Sequence, residues 1–320
     1  MGRSRKKGAN ITGWLVLDKP LGMTSTRALS KARWLLNAKK AGHAGTLDPL
    51  ASGVLPVAFG EATKTITFMM NASKTYRFTM AWGVSTATLD AEGEITARSP
   101  VRPDRAAIMA VLPRFLGEIE QMPPAFSALK VDGRRAYALA RAGETVTLKP
   151  RTVRIDALSL LDQPDADHAT FEVDCGKGTY VRALARDLAA MLGAEGHVSA
   201  LRRTRVGPFG EKQAIGLGAL EEMVHKARAL EVLMPLATAL DDIPALAVST
   251  VEAHRIRHGQ AIALTPQQAQ ALATQTLPDM PEADAAQTVY VHCGDEPVAI
   301  CERCGAHLKV VRVFNEQNGV

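Results

Sequence analysis

The chain has 320 residues, 47% of them apolar, and its 38 Lys and Arg against 33 Asp and Glu give a formal net charge of +5. That length allows two domains with a sizeable core, and so mild a basic excess is compatible with a nucleic-acid partner but is not histone-like. Four cysteines are too few for a disulfide scaffold and fit a reduced, cytoplasmic protein, and no apolar run reaches the roughly 18 residues of a membrane span.

Residues 1–10 read as a flexible basic tail, because no apolar segment follows the cations. Gly13–Asp18 reads as a buried strand ended by a turn at Lys19–Gly22. Ser25 or Thr26 can cap a helix to about Leu36, with Ala28, Leu29, Ala32 and Leu35 at helical spacing. A loop of small residues follows, then a strand at Gly53–Phe59, a helix at Glu61–Met70 and a strand at Lys74–Trp82. Asp104–Phe115 reads as helical, Thr152–Leu161 and Ala169–Cys175 as paired strands, and Thr179–Leu192 as an amphipathic helix. Past Asp241-Asp242-Ile243-Pro244, short strand-like runs at 245–248, 289–292, 298–301 and 308–313 form a small β-rich module. The Ala- and Gln-rich stretch 266–287 interrupts them as a short helix plus connector. Strands and helices mixed without regular βαβ alternation predict an α+β fold.

The run Ala41-Gly-His-Ala-Gly-Thr-Leu-Asp-Pro-Leu-Ala-Ser-Gly-Val-Leu55 sets one histidine and one aspartate among small residues. Pro49 biases Asp48 toward an extended backbone, so the run reads as a loop presenting a carboxylate. An Asp-Pro pair in a loop is ordinarily a turn residue, but here the wider run resembles the G-H-x-G-T-L-D-P-x-A-x-G-x-L segment of the TruB family of tRNA pseudouridine synthases. The resemblance implies that Asp48 is the essential catalytic residue.

Three further segments carry the same resemblance. Gly176-Lys-Gly-Thr-Tyr-Val-Arg182 lacks the third glycine of a dinucleotide fingerprint. It opens a helix with Arg182 in the first turn, where the dipole disfavours a cation unless an anion waits opposite. It is similar to the family's G-T-Y-[IV]-R motif, which implies that Arg182 pairs with the catalytic aspartate and Tyr180 borders the base. Tyr76, in Lys74–Phe78, matches a tyrosine that stacks on the target base and is a candidate for helping a ring proton leave. Ser199–Phe209 resembles an L-x-R-x-x-x-G-x-F strand, which implies Leu201 as an apolar wall and Arg202, Arg203 and Arg205 facing solvent or phosphate. Gly13–Thr26 matches a fourth family segment whose role is to brace the catalytic loop.

The resemblance runs from Gly13 to about Leu240 and implies a catalytic domain at 11–243, with a mixed or antiparallel sheet and flanking helices. Residues 244–320 look like a PUA RNA-binding domain. Within the first unit, 123–154 reads as an RNA-binding insertion, since its cations face only Asp132 and Glu144. Lys130, Arg134, Arg135 and Arg141, with Lys64 and Arg202, are the expected RNA-backbone contacts. The implied reaction isomerises a uridine of the tRNA T-loop, at position 55, without cofactor or metal. The base is flipped out, His43 fills the vacated stack or holds the displaced nucleotide, and the carboxylate attacks or stabilises a sugar cation. Cys301-Glu-Arg-Cys304, near Cys293, His292 and His307, has zinc-like spacing but lacks a second C-x-x-C and reads as thiols. The implied partner is the T-arm of tRNA, with no membrane, no obligate protein partner and a monomeric state. The alternatives are an RNA-binding or RNA-folding protein on the same scaffold, or a guide-RNA-dependent, dyskerin-like synthase.

Overall fold

A computed structural model describes residues 8–127, 129–131, 133–142, 144, 148–275 and 287–315. Ten strands form one mixed sheet. Its main path runs Ile215–Gly216, Gly13–Lys19, Ala51–Phe59, Gly196–Val206, Lys74–Trp82, His168–Cys175, Arg151–Asp162 and Gly117–Gln121. The apolar run Trp14–Leu17 is buried on both faces because its strand has neighbours on both sides and cores above and below. Gly196–Val206 lies at the centre, parallel to Ala51–Phe59 and antiparallel to Lys74–Trp82.

Helix Val181–Met191 lays Val181, Leu184 and Leu188 over Phe78 and Phe171 on one face of the sheet. Helix Ser25–Leu35 lays Ala28, Ala32 and Leu35 against Leu15, Leu17 and Leu55 in a second core. Its N-cap is Thr24, whose hydroxyl accepts from the Arg27 amide at 3.2 Å, rather than Ser25 or Thr26. The expected helix at 61–70 is a 3₁₀ turn, Gly60–Thr65, followed by the α-helix Ile66–Asn71. The one at 104–115 is α-helical over Arg105–Val111 and tightens to 3₁₀ at Leu112–Phe115, where Pro113 cannot donate to a helical carbonyl.

In the basic stretch, Lys130–Val131 pairs with Arg134–Arg135 ahead of the short helix Ala136–Arg141. A second, five-stranded sheet contains Ala245–Ala247, Gln287–Cys293, Glu296–Cys304, His307–Val313 and Ile262–Ala263. Helix Thr250–Arg257, absent from the expected elements, packs on it and starts with a capping box of Ser249 and Glu252, a start signal that is written in the sequence. Helix Pro266–Ala273 is as expected, and the connector after it falls at 276–286, outside the described residues. Cys293 faces Glu296 at one end of strand Glu296–Cys304 and Cys304 faces His307 at its other end, about 25 Å away at strand rise, so Cys293 stands apart from Cys304. No described helix is long and apolar enough to cross a membrane.

Candidate active site

The aspartate loop is held from below. After strand Ala41–His43 the chain leaves the sheet, and it re-enters at Ala51, whose amide donates to the Asp48 carbonyl at 3.0 Å. The buried Ser25 hydroxyl accepts from the Leu47 amide at 2.8 Å and lies 2.9 Å from the Leu47 carbonyl, to which it donates. Lys19 is fully buried and donates to the carbonyls of Pro20, Met23 and Pro49 at 2.9, 2.6 and 3.4 Å. Burial pushes its ammonium down to about 8, against the opposing pull of Asp48. These contacts arise from the Gly13–Thr26 segment, in the bracing role the sequence resemblance implied.

Arg182 extends from the first turn of its helix and is only 7% exposed. One guanidinium nitrogen lies 2.8 Å from an Asp48 carboxylate oxygen and another 3.4 Å from one of Asp90. The same group donates to the Thr88 carbonyl at 2.7 Å and the Phe126 carbonyl at 2.9 Å. The anion expected opposite this helix start is therefore two carboxylates. The Asp48 side chain stays 45% exposed, whereas that of Asp90 is 10% exposed. Asp90 accepts from the Thr88 hydroxyl and the Glu92 amide, in a turn that holds Leu89 at a φ of 62°. No motif singles out Asp90 in the sequence; the only local signal is its turn context, Thr86-Ala-Thr-Leu-Asp90.

Tyr76 lies opposite Arg203, and Arg203 lies opposite Gly53. Gly53 has a φ of +99°, and a Cβ there would fall 2.2 Å from the Arg203 carbonyl oxygen, so only glycine fits. Arg203 was expected to face outward with Arg202 and Arg205. It is instead 1% exposed, donating to the Val54 and Gly45 carbonyls at 2.8 and 3.0 Å. Register shifts between Val198 and Ala200 and between Arg203 and Arg205 break the simple alternation of this strand. Burial pushes the Tyr76 phenol above its ordinary range, with Arg203 pulling the other way.

A cleft of about 190 Å³ opens over these groups, walled by Asp48, Tyr76, Ser127, Tyr180, Arg182 and Leu201. Five of the sequence-predicted residues thus meet, in a space below the 300–1,000 Å³ of drug-sized sites and suited to a single base. A larger cleft, about 400 Å³, lies at the second sheet beside Arg257 and Phe314, away from the Asp48–Arg182 pair. Gln121, which no motif marks either, clasps the Tyr180 backbone, accepting from its amide at 2.8 Å and donating to its carbonyl at 3.2 Å. Burial raises the Tyr180 phenol as well. His43 does not line the cleft. It ends strand Ala41–His43 with a buried, unpartnered Nδ1, and burial, then Arg203, push its imidazole below the ordinary range.

The expected phosphate contacts divide. Arg202 forks onto Asp18 at 3.0 Å and also reaches Glu211 at 2.5 Å, so two carboxylates already neutralise it. Lys64 is tied to Glu61 at 2.5 Å and to the Val313 carbonyl at 2.8 Å, joining the two sheets rather than facing outward as a free cation. Arg134 is exposed and pairs with Glu144 at 3.0 and 2.9 Å. The side chains of Lys130, Arg135 and Arg141 lie outside the described residues.

A family model described as TruB family pseudouridylate synthase (N terminal domain) matches residues 33–181, and one described as tRNA pseudouridylate synthase B C-terminal domain matches 182–241. A protein of Caulobacter vibrioides called tRNA pseudouridine synthase B is 56% identical over 97% of this chain and 98% of its own length. One of the same name from Bradyrhizobium diazoefficiens is 52% identical over 97% and 88%. Among solved structures, a chain of an H/ACA RNP bound to a substrate RNA containing 2′-deoxyuridine shares the fold, with a TM-score of 0.72 and 24% identity over 96% of this chain and 86% of its own. A chain of a Cbf5-Nop10-Gar1 complex gives a TM-score of 0.71 at 26% identity, over 95% and 85%. With family matches over most of its length and relatives of this identity, the chain belongs to the TruB family of pseudouridylate synthases.

Proposed function

We infer that this chain converts uridine to pseudouridine in tRNA, and we propose the T-loop, at position 55, as the site. The N-glycosidic bond breaks, the uracil rotates, C5 bonds to C1′, and the C5 proton leaves as N1 gains one. All bonds are redistributed within one nucleotide, so the balance calls for no cofactor. The observation that carries the reading is the Asp48–Arg182 ion pair at the floor of a base-sized cleft.

Asp48 supplies the anionic oxygen, as nucleophile or as the counter-charge to a sugar cation. Arg182 aims it, and its two further carbonyl contacts leave it little freedom to rotate. Tyr76 and Tyr180 offer ring faces and hydroxyls to the flipped base, with Tyr76 beside C5, and Leu201 closes the wall. His43 meets the displaced stack from behind the loop. Residues 11–243 act as the catalytic unit, 123–154 as an RNA-tracking insertion through Lys130, Arg134, Arg135 and Arg141, and 244–320 as a PUA-like RNA-binding unit. The chain works alone, as a cytoplasmic monomer.

The test is pseudouridine formation on an unmodified T-arm stem-loop, with neither guide RNA nor partner protein, beside filter binding. Turnover by the wild type separates this reading from guide-dependent action. Asp48→Asn should abolish turnover with little change in Kd, since the amide keeps the shape and loses the charge; near-normal turnover would remove Asp48 from the chemistry.

A further inference from the structure

The positive charge of this chain is concentrated at one end. Its first 47 residues hold ten Lys and Arg against the single Asp18, so of the 38 bases and 33 acids the other 273 residues keep 28 and 32. The excess is carried by the N-terminal segment and helix Ser25–Leu35 with the turn that follows it.

On that helix Trp34 is 72% exposed, while Trp14 and Trp82, the other two tryptophans, are buried at 0% and 3%. Arg27, Arg33, Lys39 and Lys40, on the same helix and the turn after it, are all exposed. Arg33 is held in place by the Ala38 and Lys39 carbonyls, at 3.0 and 3.2 Å. Ala9 lies alongside, its amide donating to the Asn37 carbonyl at 2.6 Å and its carbonyl accepting from the Lys39 amide at 3.0 Å. Arg3, Arg5, Lys6 and Lys7 directly precede this anchor in sequence. Lys31 pairs with Glu221, but among the described residues no carboxylate pairs with Arg27, Arg33, Lys39 or Lys40.

A cation at a helix C-terminus is ordinarily there to meet the dipole. Arg33, in the last turn, already fills that role, while Lys39 and Lys40 lie past the end of the helix and are unexplained by it. An exposed indole on a core-packed helix has no folding reason either, since it gains nothing from burial. Cations flanking an uncovered aromatic face are what a single-stranded or terminal base on a phosphate backbone requires.

Resting on tRNA as the substrate, we propose that Trp34 with Arg27, Arg33, Lys39 and Lys40 forms a second RNA-contact surface. It is separated from the cleft by the length of helix Ser25–Leu35, since Ser25 touches Leu47 at one end and Trp34 stands near the other. There an unpaired base stacks on the indole while the cations track the adjoining phosphates.

The test uses the full chain and full-length unmodified tRNA. Trp34→Ala should raise Kd about five- to tenfold, Trp34→Phe should stay near wild type, and Trp34→Leu should behave like the alanine variant, because stacking needs a ring rather than apolar bulk. The salt slope should not change in these three. Lys39→Ala with Lys40→Ala should raise Kd and flatten the slope of log K against log salt by about one to two. The saturated rate should hold in every variant, and tRNA should shield the exposed indole of the wild type from acrylamide. Equal Kd for the leucine and phenylalanine variants, an unchanged slope in the double variant, or an indole left unshielded would overturn the inference. Self-association lost in Trp34→Ala, with RNA binding intact, would reassign the surface to a protein contact. Wild-type binding with unaltered variants would sink this inference alone; no tRNA binding by the wild type would sink the substrate reading with it.

Discussion

Arg182 spends its planar fork on four acceptors, the carboxylates of Asp48 and Asp90 and the carbonyls of Thr88 and Phe126. An ammonium carries one charge point and cannot reach all four directions. Arg182→Lys should therefore lower kcat by about 100-fold or more, some 2.7 kcal/mol, with a much smaller change in Kd. Single-turnover rates beside filter binding check it, and a variant within a few-fold of wild type would take Arg182 out of the inner site. Asp90→Ala should lower kcat by about tenfold, because Arg182 keeps Asp48 but loses one of its anchors. Asp48, Tyr76, Tyr180, Arg182 and Leu201 could be named together because each sits in a segment that resembles a family motif; their residue types alone announce only a loop, a helix start or a strand. Arg203 was not legible: alternation sets it on the face opposite Arg202 but beside Arg205, and the register shift between Arg203 and Arg205, which parts those two, has no signal in the sequence. Asp90 was not because its value depends on a partner distant in sequence and on a turn strained at Leu89.

At the scale of elements, the catalytic loop has its shape imposed by the strand-turn-helix Gly13–Leu35. Ser25→Ala would leave the Leu47 amide buried and unpaired, at a cost of about 1–3 kcal/mol. Urea unfolding should register that loss, and kcat should fall further than KM rises as Asp48 drifts from Arg182. Lys19 adds a pH signature. Its ammonium titrates at about 8 in the folded chain against an ordinary 10.5 for a solvated lysine. Between those values the unfolded chain holds more protons, so this residue's contribution to stability improves as pH rises, by up to about 1.4 kcal/mol per pH unit. The stability of the wild type relative to Lys19→Met should therefore grow from pH 8 to pH 10; a flat or falling difference would contradict the burial of that charge. The strands and longer helices were readable here because their apolar periods are clean, as along Val181–Met191. The 3₁₀ segments were not, because short turns carry no period long enough to detect, whereas Thr250–Arg257, too short for a clear period, is marked in the sequence only by its Ser249–Glu252 start.

Across the whole molecule, the two sheets share a core. Tyr290 and Ile300 of the second, with Phe314 just past its last strand, pack with Trp14 and Val16 of the first and with Leu236 and Leu240 of a 3₁₀ turn beside it, and Lys64, Glu61, Arg312 and Asn315 bond across the edge of that contact. This junction has no signal in the sequence, since Trp14 and Phe314 lie near opposite ends of the chain. A C-terminal unit that merely trailed behind could be removed at little cost. Here a chain ending at Ile243 would uncover Trp14 and its neighbours, so truncation should lower Tm and promote aggregation as well as weaken RNA binding. Phe314→Ala separates the two effects. It opens a cavity at a fully buried ring and should cost about 3–5 kcal/mol. Every residue walling the cleft precedes 243, so below the lowered Tm the saturated rate of pseudouridine formation should stay within about twofold of wild type. Thermal unfolding by circular dichroism, with single-turnover rates taken well below the transition, measures both. A Tm that does not move would mean the shared core contributes nothing. A saturated rate that collapses while the protein is still folded would mean the second sheet helps to set the geometry of Asp48 and Arg182.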